Sequence, residues 1–225
     1  MRSLKEIEEG YDVFWETTAD SNDDWTVIKV PIARGAAVDL IPQNCGRMLD
    51  IGCGNGMAMR LLSKRGFDAI GLDLSTSALH EARKYGEVVK GDALRLPFMD
   101  QEFGCVVMFD VFEHLVMKRE ALVEVRRIMS DRGHLILTTP PAGASEGQGD
   151  SRQPYDKPCS YAEILDLIDG LFTVEYIKGF GWTPRGLRRA ESLVPAKVQR
   201  VFPFVVARSI ELLLVLRKDS GTANE

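Results

Sequence analysis

The sequence predicts an α/β fold: a mainly parallel sheet with helices on both faces. Two observations carry this. From residue 47 onward, short apolar runs rich in β-branched residues alternate with longer segments whose apolar residues recur every three or four positions. That alternation is the mark of βαβ units whose sheet is covered on both sides. A cluster of glycines also stands where the first run meets the first helical segment.

In chain order, residues 1–44 read as a helical cap, with Pro31 able to open a helix at Ile32. Strands are expected at Arg47–Ile51, Phe67–Leu72, Glu87–Lys90, Gly104–Phe109 and His134–Thr138, and helices at Met57–Arg65, Ser75–Tyr85 and Arg119–Met129. Further on, Tyr161–Ile168 reads as a helix, and Phe172–Lys178 and Ile210–Arg217 as strands. Residues 45–218 then form one domain. Its segment 179–209, punctuated by Pro184, Pro195 and Pro203, reads as a basic, partly apolar insertion, and 219–225 as a mobile tail.

The chain has 225 residues, 45% hydrophobic and 27% charged, as in an ordinary globular protein. A net charge of −5 argues against a dedicated nucleic-acid binder. Charges throughout Met1–Trp15 exclude a signal core, and Phe204–Leu216 is too short and too interrupted to span a bilayer. Cys45, Cys53, Cys105 and Cys159 lie far apart without a CxxC pair, so no metal site is expected and the thiols read as reduced, in a cytoplasmic protein.

The sharpest chemical signal is Met48-Leu49-Asp50-Ile51-Gly52-Cys53-Gly54-Asn55-Gly56, at the turn from strand to helix. Glycines there allow close approach of a ligand to bare backbone. Asp50, just before them, would meet a cation, an amine or a hydroxyl and would repel a pyrophosphate. Asp73 ends the second strand, where a carboxylate grips ribose hydroxyls. A dinucleotide site would want a glycine at position 57, where Met57 stands. The ligand so described has a ribose and a positive group but no phosphate bridge, a description that S-adenosylmethionine satisfies. Taken singly, Asp73 or Asp92 would be read as a helix cap or a solvated turn.

With these residues the sequence resembles the class I S-adenosylmethionine-dependent methyltransferases, most closely the small-molecule group typified by quinone-biosynthesis methyltransferases. The resemblance spans roughly Cys45 to Arg217. It also rests on Gly71-Leu72-Asp73-Leu74, Gly91-Asp92-Ala93, Leu96-Pro97-Phe98 and Phe109-Asp110-Val111-Phe112-Glu113-His114-Leu115. It implies a Rossmann-like seven-stranded sheet of order 3-2-1-4-5-7-6 with the last strand antiparallel. By position it implies that Gly52, Cys53 and Gly54 line the methionine moiety with Asp50 near its amino group. Asp73 would hold the ribose, Leu74 would pack on the adenine, Asp92 and Ala93 would bond its edge, and Phe109 would wall the sulfonium.

His114 is the candidate general base, a role typically worth about 10²–10⁴-fold in rate; an orienting or helix-starting role is the reading placed ahead of it. Tyr11 and Trp15, with Phe14 and Trp25, are candidates for a lid over cofactor and substrate, or for a helix docking its aromatic face on the core. Basic residues of 179–209 such as Arg185, Arg188 and Arg200 suggest contact with a membrane surface or an anionic acceptor, against a plainer reading as a solvated insertion. The implied activity is methyl transfer to a small-molecule O, N or C acceptor. The rival readings are a non-catalytic binder of S-adenosylmethionine or S-adenosylhomocysteine and, disfavoured by Asp50 and Met57, a nicotinamide-dependent oxidoreductase.

Overall fold

The computed structural model describes residues 3–18, 34–142, 155–180 and 211–219. Seven strands form one sheet: β1 (Met48–Ile51), β2 (Ala69–Asp73), β3 (Val88–Lys90), β4 (Phe103–Phe109), β5 (Met129–Thr139), β6 (Phe172–Phe180) and β7 (Glu211–Lys218). Their order is β3-β2-β1-β4-β5-β7-β6. The first five run parallel, and β7 is antiparallel to both β5 and β6. This is the topology that the resemblance implies.

Strand alternation sorts the core into two layers. Leu49, Ile51, Leu72, Val106, Leu135 and Leu214 point to one face, which is covered by α5 (Lys118–Ile128) and α6 (Tyr161–Ile168). Met48, Cys105, Val107, Ile136, Leu213 and Val215 point to the other. There they meet Ala37 and Val38 of α2 (residues 34–38) and Ala58 and Leu62 of α3 (Met57–Lys64). Each fully buried Leu or Val contributes about 1.5–3 kcal/mol, so these layers hold the sheet.

Local signals set the helix ends. Ser160 and Glu163 form a reciprocal cap at the start of α6, and Ser75 accepts from the Ala78 N–H at the start of α4 (Thr76–Ala82). Ser3 and Glu6 make the same exchange at the start of α1 (Leu4–Thr18).

Some expected boundaries shift. Met129 opens β5 rather than closing α5, and it is fully buried at the strand end. Gly179 and Phe180 belong to β6, paired with Leu212 and Glu211, so they are strand and not insertion. Asp219 is tied down: its N–H donates to the Leu171 carbonyl and its own carbonyl accepts from Arg126. The remainder of the insertion, Pro31, Trp25 and residues 220–225 lie outside the described residues.

Because β1 sits between β2 and β4, the chain leaves β1 to one side and later returns to the other. That arrangement opens a crevice at the carboxyl ends of these strands.

Candidate cofactor and acceptor site

At the carboxyl end of β1 the chain turns through Gly52 and Gly54, both left-handed at φ +68° and +52°. Such angles strain residues with a Cβ. The N–H groups of Gly52 and Cys53 both donate to the Leu72 carbonyl, at 2.7 and 3.0 Å, which ties the turn to β2. Gly54 N–H donates to Asp73 Oδ2 at 2.8 Å, and Ser75 N–H to Asp73 Oδ1 at 2.9 Å. Both carboxylate oxygens are thereby oriented at the end of β2. Burial raises the Asp73 carboxyl above its ordinary range despite these bonds.

Asp50 is 1% exposed, and its Oδ2 has no hydrogen-bond partner. Burial pushes its pKa up to about 7, with Arg34 pulling it down and Asp73 adding to the rise. Such an oxygen is costly to the fold unless something supplies a donor. The Cys53 side chain turns away from this crevice and is buried beside Met59 and Leu79. What Cys53 offers to the turn is backbone.

Helix α1 lies across the turn. Asp12 accepts from the Ser75 hydroxyl at 2.6 Å and from the Ser77 N–H at 3.2 Å, and Glu8 pairs with Lys90. A Cβ on Gly54 would stand 2.4 Å from Trp15, and one on Gly52 2.4 Å from Val111. The bare backbone is thus covered by an indole from α1 and by the connection after β4. The Tyr11 hydroxyl is buried without a partner. Burial, reinforced by Asp73, Glu113 and Asp156, raises its phenol. The Tyr11 ring meets His114 edge-on, with centroids 6.4 Å apart. His114 Nδ1 is 2.7 Å from the Tyr155 carbonyl, Nε2 is 3.7 Å from Glu113, and burial lowers its pKa.

The remaining expected residues are more spread out. Gly91 N–H donates to the Asp73 carbonyl, which places Asp92 and Ala93 next along the same edge. Asp92 Oδ1 accepts from Leu94 N–H, and Ala93 is buried in the core on the α5 side. Leu74 is half-buried beyond β2, and Phe109 is buried on the α2–α3 side. The structure therefore gathers Asp50, Gly52, Gly54, Asp73, Tyr11, Trp15 and His114, and sets Asp92, Ala93 and Leu74 at the flank.

A second group was not singled out from the sequence. Asp110, left-handed at φ +58°, receives Arg34 Nη2 at 2.7 Å and Nε at 3.2 Å. Neighbouring threonines at the end of β5 serve different acids: Thr138 donates to Asp110 at 3.1 Å, and Thr139 to Glu113 at 2.9 Å. Burial, joined by repulsion from Asp110, pushes Glu113 up to about 8. Burial works against Asp110 too, but Arg34 and bonds from Glu211 and Thr138 hold it below the ordinary range. Strained backbone of this kind collects at functional sites. The sequence signal was there for Asp110 and Glu113, within the motif after β4. For Arg34 and Glu211, brought in by α2 and β7, there was none.

Among the described residues, no group of His, Cys, Asp and Glu is arranged to hold a metal, and no helix is long and apolar enough to cross a membrane.

Comparison with known proteins agrees with this geometry. Residues 49–137 match a family model described as a methyltransferase domain. A demethylmenaquinone methyltransferase from Thermotoga maritima is 34% identical over 110 residues, covering 46% of this chain and 48% of the relative. A Mycolicibacterium smegmatis protein named "probable S-adenosylmethionine-dependent methyltransferase" is 28% identical over 163 residues, 68% of this chain and 63% of the relative. A solved SAM-dependent methyltransferase from Thermotoga maritima superposes with a TM-score of 0.71 at 21% identity, over 95% of this chain and all of that one. The chain spans about half the length of the first curated relatives it matches. Over residues 49–137 the chain is thus similar to S-adenosylmethionine-dependent methyltransferases, on a sheet of order β3-β2-β1-β4-β5-β7-β6. S-adenosylmethionine is the cofactor of that class, and the unpartnered Asp50 oxygen and the glycine turn beside it fit such a molecule.

Proposed function

We propose that the chain transfers a methyl group from S-adenosylmethionine to a small-molecule acceptor, at the carboxyl edge between β1, β2 and β4. The observation that carries this reading is the buried, unpartnered Asp50 Oδ2 beside the Gly52–Gly54 turn. Asp50 would receive the cofactor's ammonium, becoming ionised as it gains a partner. Asp73 would accept from the ribose hydroxyls through lone pairs left over from its two backbone bonds, and Asp92, Ala93 and Leu74 would receive the adenine. Phe109 would wall the reacting centre. When bound, the sulfonium supplies an already activated methyl group, so the protein's task is alignment, which can contribute up to about 7–11 kcal/mol.

Tyr11 and Trp15 on α1 would close over the site and exclude water. His114, with Nδ1 held by the Tyr155 carbonyl and its ring neutral, is suited to orienting an acceptor or taking a proton from it.

The test is incubation with methyl-tritiated S-adenosylmethionine and panels of small phenols, amines and quinols, reading labelled product. Label in at least one class is the expected result. Tight binding of S-adenosylhomocysteine with no label in any class, including protein acceptors, would instead describe a binding-only protein.

A further inference from the structure

β7 runs against its neighbours, so its first residue lies at the same edge as the last residues of β4 and β5. Leu212 stands opposite Thr139, and Glu211 opposite Phe180. Leu212 and Leu214 fill the layer under α5 and α6 while Leu213 and Val215 fill the other, so alternation turns Glu211 toward the α2 side. There its carboxyl is hydrogen-bonded to Asp110, which Arg34 and Thr138 also hold.

The other oxygen of Glu211, Oε1, is enclosed and has no partner. Leaving such an atom unmatched costs about 1–3 kcal/mol. Arg34 turns Nε and Nη2 to Asp110 and Nη1 toward Met57 Sδ at 3.8 Å, and none of them reaches Oε1. Burial, together with repulsion from Asp110 and Glu113, keeps the Glu211 carboxyl in its acid form well above the usual range, with its proton shared toward Asp110. Oε1 is then the carbonyl oxygen of a neutral acid, able only to accept.

We propose that Glu211 selects the methyl acceptor: Oε1 accepts a hydrogen bond from a hydroxyl or amine group of the acceptor, and an acceptor presenting a carboxylate there is rejected because its lone pairs and charge would face those of Oε1 and the Asp110 carboxylate. This deepens the methyltransferase reading and rests on it. Glu211 contributes specificity, while the cofactor contacts lie with Asp50 and Asp73 on β1 and β2.

The test uses the full chain saturated with S-adenosylhomocysteine and three fragments that differ only in head group: benzyl alcohol, benzylamine and benzoate. Binding is read by ligand-detected NMR titration, and S-adenosylhomocysteine affinity is measured in parallel. The alcohol and the amine should bind, with benzoate weaker by about tenfold or more, the scale of one buried hydrogen bond. Glu211→Leu should lose that preference and bind the alcohol about tenfold more weakly. Glu211→Gln, which keeps a carbonyl oxygen, should retain the alcohol and shows that the position tolerates change. S-adenosylhomocysteine affinity should be the same in all three proteins. Equal binding of benzoate, unchanged alcohol binding in Glu211→Leu, or no fragment binding to the loaded protein would each overturn the proposal. Failure of the wild-type chain to bind S-adenosylhomocysteine would overturn the methyltransferase reading beneath it.

Discussion

The two edges of the sheet treat charge in opposite ways. At the amino edge four cations meet oxygens that need them. Arg127 donates to the carbonyls of Phe98 and Leu96 and pairs with Glu124 and Asp100. Arg126 reaches the carbonyls of Leu171 and Asp219, and Lys218 that of Met129 at 2.6 Å. Arg47 pairs with Glu102. At the carboxyl edge stand Asp50, Asp73, Asp110, Glu113 and Glu211, with Arg34 holding Asp110, and oxygens of Asp50 and Glu211 are left without donors. A fold that satisfies its polar groups at one end and leaves them short at the other has kept the second end for something that binds.

The largest effect that would break this contrast concerns Asp73. Asp73→Ala should weaken S-adenosylhomocysteine binding by about 10–100-fold, the loss of one or two charge-assisted hydrogen bonds. Because Asp73 also orients Gly54 and Ser75, Asp73→Asn belongs beside it, and unchanged affinity in both would remove the ribose assignment.

Next comes Asp50→Asn, whose two effects should have opposite signs. It should stabilise the ligand-free protein near pH 8 by roughly 1–3 kcal/mol in chemical denaturation, since a buried unpartnered charge is gone. It should weaken cofactor binding all the same. A residue serving only the fold would not improve stability when removed.

The same group predicts a pH dependence. The folded chain holds the Asp50 proton up to about pH 7, whereas the unfolded chain loses it in the ordinary carboxylate range. Between these values the folded state binds more protons, so its stability falls as pH rises from about 4 to about 7. Glu113 acts with the same sign from the ordinary carboxylate range up to about pH 8, and the raised Glu211 carboxyl adds to it. Thermal unfolding across this range should show a shallower decline in Asp50→Asn than in the wild type. The smallest effect is expected at the other end of the molecule: Arg65→Ala, which breaks an exposed pair with Asp39, should cost less than about 1 kcal/mol and leave binding untouched.

Much of this was legible in the sequence. The strands declared themselves through dense apolar runs, and the glycine turn and Asp73 through their position at strand ends. Boundaries slipped where tertiary packing overrode local pattern, as at Met129, whose apolar side chain suits the end of a helix and the start of a strand equally. The position of α1 was only half legible: its aromatic residues suggested docking, but not that Trp15 would cover Gly54. Arg34 and Glu211 were silent because neither belongs to a local pattern. Their meaning arises when α2 and β7 converge on Asp110, and no spacing in the chain announces that meeting.

The central claim is that the carboxyl edge is short of donors because a cation belongs there. The most direct test is calorimetric titration of the full chain with S-adenosylhomocysteine near pH 7, in two buffers of different ionisation enthalpy, with NADH as control. The account predicts binding of S-adenosylhomocysteine alone, accompanied by proton release as Asp50 ionises against the incoming ammonium, and loss of that release in Asp50→Asn. Binding without proton exchange, or exchange unchanged in Asp50→Asn, would contradict it.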